Sequence, residues 1–150
     1  MSWTRQLRLK HLSLLIELSE SGSLSDVART SHTTQPGLSK WLKELEEDIG
    51  APLFDRHSRG LRPTPLGSLM VSHARRMLSE VERTEQNLHS LMQGGNRILS
   101  IGTSPASAPS FVPAAIMRFL KSNPNARIRV EESTMNEMLA KLELGKLDLV

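Results

Sequence analysis

Apolar residues recur at Leu12, Leu15, Ile16 and Leu18, preceded by Leu7 and Leu9, and the run stops at Gly22. This spacing predicts a buried amphipathic helix over residues 5–21, ended by a glycine. Ser23 then stands just ahead of Leu24, Val27 and Ala28, with Asp26 three residues on as a short-armed capping box. A brief second helix follows. After Ser31-His32-Thr33, a cap at Thr34 opens a third helix in which Leu38, Leu42, Leu45 and Ile49 recur every three or four residues, until Gly50 ends it. Those four face a core.

The other side of that third helix carries Gln35, Ser39, Lys40 and Lys43, all polar groups able to meet base edges or phosphates. Its first half is free of acid, whereas Glu44, Glu46, Glu47 and Asp48 crowd the far end. The end with free N–H groups and cationic side chains is therefore the one suited to a polyanion. Two short apolar segments next flank Ser58-Arg59-Gly60, which predicts a small hairpin with basic residues at its tip. Arg56, His57, Arg59 and Arg62 lie there against a single acid, Asp55.

From Pro65 the pattern is helical as far as Met92, with Thr64 as cap and proline in the first turn. Met70, Ala74, Met77, Val81, Thr84, Leu88 and Leu91 form an unbroken heptad seam on a helix roughly 40 Å long. So narrow a stripe does not bury itself alone; it predicts pairing with a second copy, the alternative being a single helix lying on a neighbouring domain. Gln93-Gly94-Gly95-Asn96 reads as a hinge, assigned to 94–96. Beyond it, strand patterns at 97–101 and 126–130 alternate with helical patterns at 111–120 and 135–144, and a third apolar strand begins at Leu147. That order implies a parallel α/β sheet, interrupted by the end of the chain. The domains expected are thus 1–65, a linker helix over 66–93, the hinge, and a partial α/β domain over 97–150.

Bulk properties add limits. Of 150 residues, 38% are hydrophobic and 23% charged, enough for folded cores. No apolar run is long enough for a spanning helix and no secretory leader is seen, so a cytoplasmic protein without a membrane partner is expected. The absence of cysteine excludes disulfides, thiolate metal sites and thiol redox sensing. A pI near 9.7 invites a nucleic-acid reading, but residues 1–65 hold nine Lys/Arg against eight Asp/Glu. Bulk charge does not carry the case; the placement of individual charges does.

Helix, short helix, turn, helix, basic hairpin is the order of a winged helix-turn-helix, whose last helix enters the major groove. At Arg5-Gln6-Leu7, Gly22-Ser23, Val27-Ala28, Thr34-Gln35-Pro36-Gly37-Leu38-Ser39, Leu45-Glu46, Leu53-Phe54-Asp55-Arg56 and Thr64-Pro65-Leu66-Gly67 the chain resembles the DNA-binding domain of LysR-type transcriptional regulators. The resemblance continues through the linker helix into Ile101-Gly102-Thr103-Ser104 and Gly145-Lys146-Leu147-Asp148-Leu149. It implies a mainly α winged helix-turn-helix with a coiled-coil linker, followed by a truncated α/β effector subdomain like those of periplasmic binding proteins. It departs from the family at Gly37, where alanine is usual, and Trp3 in the N-terminal extension has no sequence explanation.

The resemblance places Thr34, Gln35, Pro36, Ser39, Lys40 and Lys43 on the recognition helix and Arg56 and Arg59 in the wing. Gln35 suits an adenine edge and Pro36 a thymine methyl, while Ser39 and Lys40 suit phosphates. Lys43, Arg59 and Arg62 have simple solvation as their alternative, and Trp41 reads as core. Thr103 and Ser104 end a strand, where open α/β sheets place ligands; they fit a small organic anion as effector, or plain capping. Met70, Ala74, Met77, Val81, Leu88 and Leu91 form the dimer seam. The five histidines lack metal-ligand spacing, and no cofactor or catalytic constellation is expected. The expected partners are an inverted-repeat operator in duplex DNA, a second copy of the chain with a tetramer open for a longer form, and the anion. The competing function is an anion-binding module with no specific DNA reading.

Overall fold

The computed structural model describes residues 3–58, 60–95, 98–109 and 111–150. The chain divides into two compact units, Met1–Leu78 and Ser79–Val150. The division falls inside a long helix, not at the glycines where composition places a hinge.

In the first unit, α1 (Trp3–Gln6), α2 (Leu9–Ser21), α3 (Leu24–Thr30) and α4 (Gln35–Ile49) precede a hairpin of β1 (Phe54–His57) and β2 (Gly60–Pro63) and the start of α5 (Pro65–Met92). The single helix expected over residues 5–21 is broken. Arg8 is extended, at φ −109° and ψ 157°, and caps α2 while its own N–H donates to His11 Nδ1 at 3.2 Å. Apolar residues stand on both sides of that break, at Leu7 and Leu9, so the run reads as continuous. Leu14, Leu15, Leu18, Val27, Leu38, Leu42, Leu45, Leu53, Phe54, Leu61 and Val71 close the core, with Ile49, Trp41 and Trp3 packed half-buried against it. The extension thus has a structural role, since Trp3 covers the core edge.

Ser23 Oγ accepts from Asp26 N–H at 3.2 Å and Thr34 Oγ1 from Gly37 N–H at 3.2 Å, so both serine and threonine caps form. The hairpin pairs Phe54 with Pro63 through His57 with Gly60, antiparallel. Gly60 has φ +114°, and a Cβ there would stand 2.5 Å from the Gly22 carbonyl oxygen. The adjoining Leu61 N–H donates to that same oxygen at 2.7 Å. Only glycine permits this approach, which pins the hairpin to the end of α2. Thr64 Oγ1 donates to the Pro52 carbonyl at 2.9 Å and accepts from Gly67 N–H at 3.0 Å, tying the start of α5 to the strand entry.

In the second unit, the last turns of α5 join β3 (Ile98–Thr103), α6 (Phe111–Ser122), β4 (Arg127–Glu132) and α7 (Met135–Glu143). The strands β3 and β4 pair in parallel, as the alternating pattern predicts, and a third segment adds the parallel bridge of Ile101 with Leu149. Met138 and Leu147 are buried on this sheet, while α6 buries no residue fully. Arg83 donates to the Gly145 carbonyl at 2.8 Å and to Asp148 Oδ1 at 2.5 Å, and the other oxygen of Asp148 accepts from Ser100 N–H at 2.8 Å. Asn87, one turn on, accepts from Ile98 N–H at 3.1 Å. The end of the linker helix is therefore part of the α/β unit. Of the expected hinge, Gly94 and Gly95 wrap up the helix end by donating to the Leu91 and Ser90 carbonyls; Asn96 lies outside the described residues, as does Arg97 of the expected strand. None of the helices is long and apolar enough to cross a membrane, among the described residues.

Candidate nucleic-acid interface

The helix α4 places Leu38, Leu42 and Leu45 in the core, so its opposite face is forced outward. Thr34, Gln35, Pro36, Lys40 and Lys43 are exposed there and Ser39 is half-buried. Pro36 stands in the first turn, where its missing N–H costs no helix hydrogen bond. Lys40 pairs with Glu44 at 3.7 Å and Lys43 with Glu47 at 3.5 Å. Both are exposed pairs worth only about 0.3–0.5 kcal/mol each. Either lysine is free to exchange its carboxylate for a phosphate.

Arg56 departs from the sequence expectation in its company. Its Nη2 reaches back from β1 and donates to Ser39 Oγ at 3.1 Å. A groove of about 450 Å³ is lined by Gln35 at the start of α4, by Arg56, His57, Gly60 and Leu61 of the hairpin, and by residues 21–25. Gln35 and Arg56 are thus brought to one concavity. Arg59 lies outside the described residues. Ser23, Ser25 and His57 join the groove although sequence reasoning left them out; Ser23 was visible only as a cap, and His57 only as a basic residue.

Sequence reasoning also missed the role of Glu46. Its Oε1 accepts from the N–H groups of Leu53 at 2.7 Å and Phe54 at 3.0 Å, so α4 itself holds the first residue of the hairpin. The available signal was an acid in the last turn before a helix-ending glycine, followed within a few residues by the start of a strand. On the flank of α4, Trp41 meets His11 with ring centres 4.9 Å apart and the rings tilted by 36°. Trp41 is half-buried against the core rather than presented to solvent. Burial, then the positive charges of Arg8 and Lys10, hold the His11 imidazole below its ordinary pKa. The Arg29 guanidinium, then the Ser23 hydroxyl, hold the Asp26 carboxyl below the usual range.

The remaining expected residues fall as follows. Thr103 is buried, its hydroxyl 3.4 Å from the Ser104 carbonyl, and Ser104 Oγ is 3.0 Å from Ser107 Oγ and accepts from Ser107 N–H at 3.3 Å. That bond closes a turn and caps no helix, since α6 begins at Phe111 and not near Ser107. Along the seam, Ala74 is fully buried and Met70 packs on the first unit's core, so those two are taken up by the chain itself. Met77, Val81, Leu88 and Leu91 remain 42–56% exposed.

Comparison with known proteins follows these elements. A family model described as bacterial regulatory helix-turn-helix protein, lysR family, matches residues 9–68, and one described as LysR substrate binding domain matches residues 92–150. The chain is 35% identical over 143 residues to the HTH-type transcriptional regulator GbpR of Azospirillum brasilense, covering 95% of this chain and 42% of that one. The crystal structure of CbnR, a LysR family transcriptional regulator, shares the fold with a TM-score of 0.66 at 23% identity, over 94% of this chain and 47% of that one. Full-length CbnR complexed with its target DNA matches at 26% identity and a TM-score of 0.55, over 94% of this chain and 49% of that one. The chain spans less than half the length of each of these relatives.

Proposed function

Because this chain belongs to the LysR family of bacterial regulatory helix-turn-helix proteins, we propose that it is a sequence-specific DNA-binding transcription regulator, homodimeric and responsive to a small organic anion. The observation that carries this reading is the open face of α4. Gln35 and Pro36 are exposed in its first turn, its opposite side is locked into the core, and the groove beside it holds Arg56. Among the described residues of the unit, none buries Thr34, Gln35, Pro36, Lys40 or Lys43.

Gln35 pairs bidentately with an adenine edge, and Pro36 rests against a thymine methyl. Lys40 and Lys43 trade their weak surface pairs for phosphates, which adds affinity and salt dependence without sequence information. Arg59 adds charge to the hairpin by its place in the sequence. A solved relative in complex with its target DNA supports the reading, as do the relatives named as transcriptional regulators. The chain acts by binding, in the cytoplasm where the chromosome lies. Two copies joined through the exposed stretch of α5 present two recognition helices to an inverted repeat. The anion belongs to the α/β unit, whose match to a substrate-binding domain supports it; Thr103 and Ser104 mark the strand end it would meet.

The test is a gel shift with an inverted-repeat duplex selected from a randomised pool, against random duplex at matched salt. The chain should prefer the selected duplex, and Gln35→Ala should lose about tenfold or more of that preference with an unchanged melting temperature. Equal affinity for both duplexes would refute sequence-specific reading.

A further inference from the structure

We propose that Arg56 reads a base edge beside Gln35, aimed by Ser39, and that each half-site therefore carries a guanine next to the base pair met by Gln35. This rests on the DNA-binding reading above and extends it to how the groove is read. Arg56 belongs to β1, where it pairs with Leu61, so it stands one pair back from the closing His57–Gly60 pair of the hairpin. Its side chain turns toward α4, and its donation to Ser39 Oγ spans 17 positions of sequence. Ser39 lies one helical turn after Gln35 on the same face, and Gln35 and Arg56 line one groove.

The charge of Arg56 is available. Lys40, Lys43, Arg29, Arg75 and Arg83 each pair with a carboxylate, whereas Arg56 has no carboxylate partner among the described residues. Among the described residues its side chain donates to a neutral hydroxyl, which uses a single N–H of the five on a guanidinium. That tie restricts a flexible side chain before DNA arrives, which lowers the cost of ordering it on binding. The remaining fork matches the O6 and N7 acceptors of guanine, a geometry lysine lacks. Ser39 is then a positioning residue, not a phosphate ligand.

The experiment selects duplexes from a randomised inverted-repeat pool with the 150-residue chain and its variants, sequences the bound fraction, and measures affinity against salt. Far-UV circular dichroism melts check that each variant folds. Arg56→Ala should lose about tenfold or more of the preference for guanine at one position of each half-site. Arg56→Lys should keep affinity for random DNA and lose the same preference. Ser39→Ala should weaken preference at that same position about three- to tenfold with an unchanged salt slope, Ser39→Thr should restore it, and Ser39→Ala added to Arg56→Ala should change nothing more. A uniform loss over all sequences with a shallower salt slope, additive between the two residues, would overturn the proposal by making both phosphate ligands. An intact base preference in Arg56→Ala would overturn it as well. A pool from which the parent chain enriches no sequence overturns the DNA reading itself, and this proposal with it.

Discussion

Gly37 forgoes about 1 kcal/mol of helix propensity relative to alanine, in a turn where its N–H donates to Thr34 Oγ1 at 3.2 Å. A Cβ at Gly37 would stand 2.9 Å from that hydroxyl, so a side chain there presses on the cap of α4. Gain and loss are of similar size, since a lost cap costs about 1 kcal/mol. Gly37→Ala should therefore stay within about 1 kcal/mol of the parent in urea unfolding; a gain clearly larger than that would show that the hydroxyl moves aside freely. His11 offers a pH test. Folding holds its pKa below the ordinary value, chiefly by burial and then through Arg8 and Lys10, and Nδ1 accepts the Arg8 N–H. The unfolded chain takes up the proton first as pH falls, so this contribution is present above the unfolded value near 6.5 and is lost on acidification through the folded one. Between pH 7 and pH 5 the parent should lose more melting temperature than His11→Gln, which keeps an acceptor for the Arg8 N–H but does not titrate. Parallel losses would dismiss the histidine as the source.

The hairpin is held less by its two short strands than by what it leans on. Glu46 accepts two N–H groups at its entry, the Gly22 carbonyl accepts Leu61 N–H, and Ser39 accepts from Arg56. An isolated two-stranded ribbon is marginal in water, so these ties set its position. Glu46→Ala leaves two N–H groups without their charged acceptor and should cost about 2–3 kcal/mol in denaturant unfolding. Glu46→Gln keeps an oxygen in place and should cost less. Equal losses would assign the effect to packing. Spacing made α3, α4 and the start of α5 and their caps readable from sequence, because each depends on neighbours within one turn. Glu46 was misread as one more acid at a crowded helix end, since its acceptor role depends on a chain reversal that periodicity does not encode. The break between α1 and α2 was passed over because the strong run from Leu9 to Leu18 was extended back through Leu7, although Leu7 and Leu9 stand only two apart.

At the scale of the molecule, the long helix serves both units. Ala74 and Met70 are consumed by the first, and Arg83 and Asn87 by the second. Between and beyond these ties Met77, Val81, Leu88 and Leu91 stay exposed. If they carry the pairing of two copies, Met77→Glu combined with Leu88→Glu should convert a dimer to a monomer in analytical ultracentrifugation, without lowering the helical content. A parent that sediments as a monomer at tens of micromolar would remove the seam. Ala74→Glu should behave differently, destabilising the first unit itself by placing a carboxylate in a closed site.

What the amino-acid order determined alone was everything local: helix faces, the caps at Ser23, Thr34 and Thr64, the glycine turn of the hairpin, and the alternation of strand with helix after residue 97. These follow from side-chain period and hydrogen bonds across three or four residues. Tertiary structure alone decided that Ser39 meets Arg56 across 17 residues, that Asp148 meets Arg83 across 65, and which seam residues the chain keeps for itself. Such pairings depend on how packed elements cross in space, and no spacing along the chain specifies that.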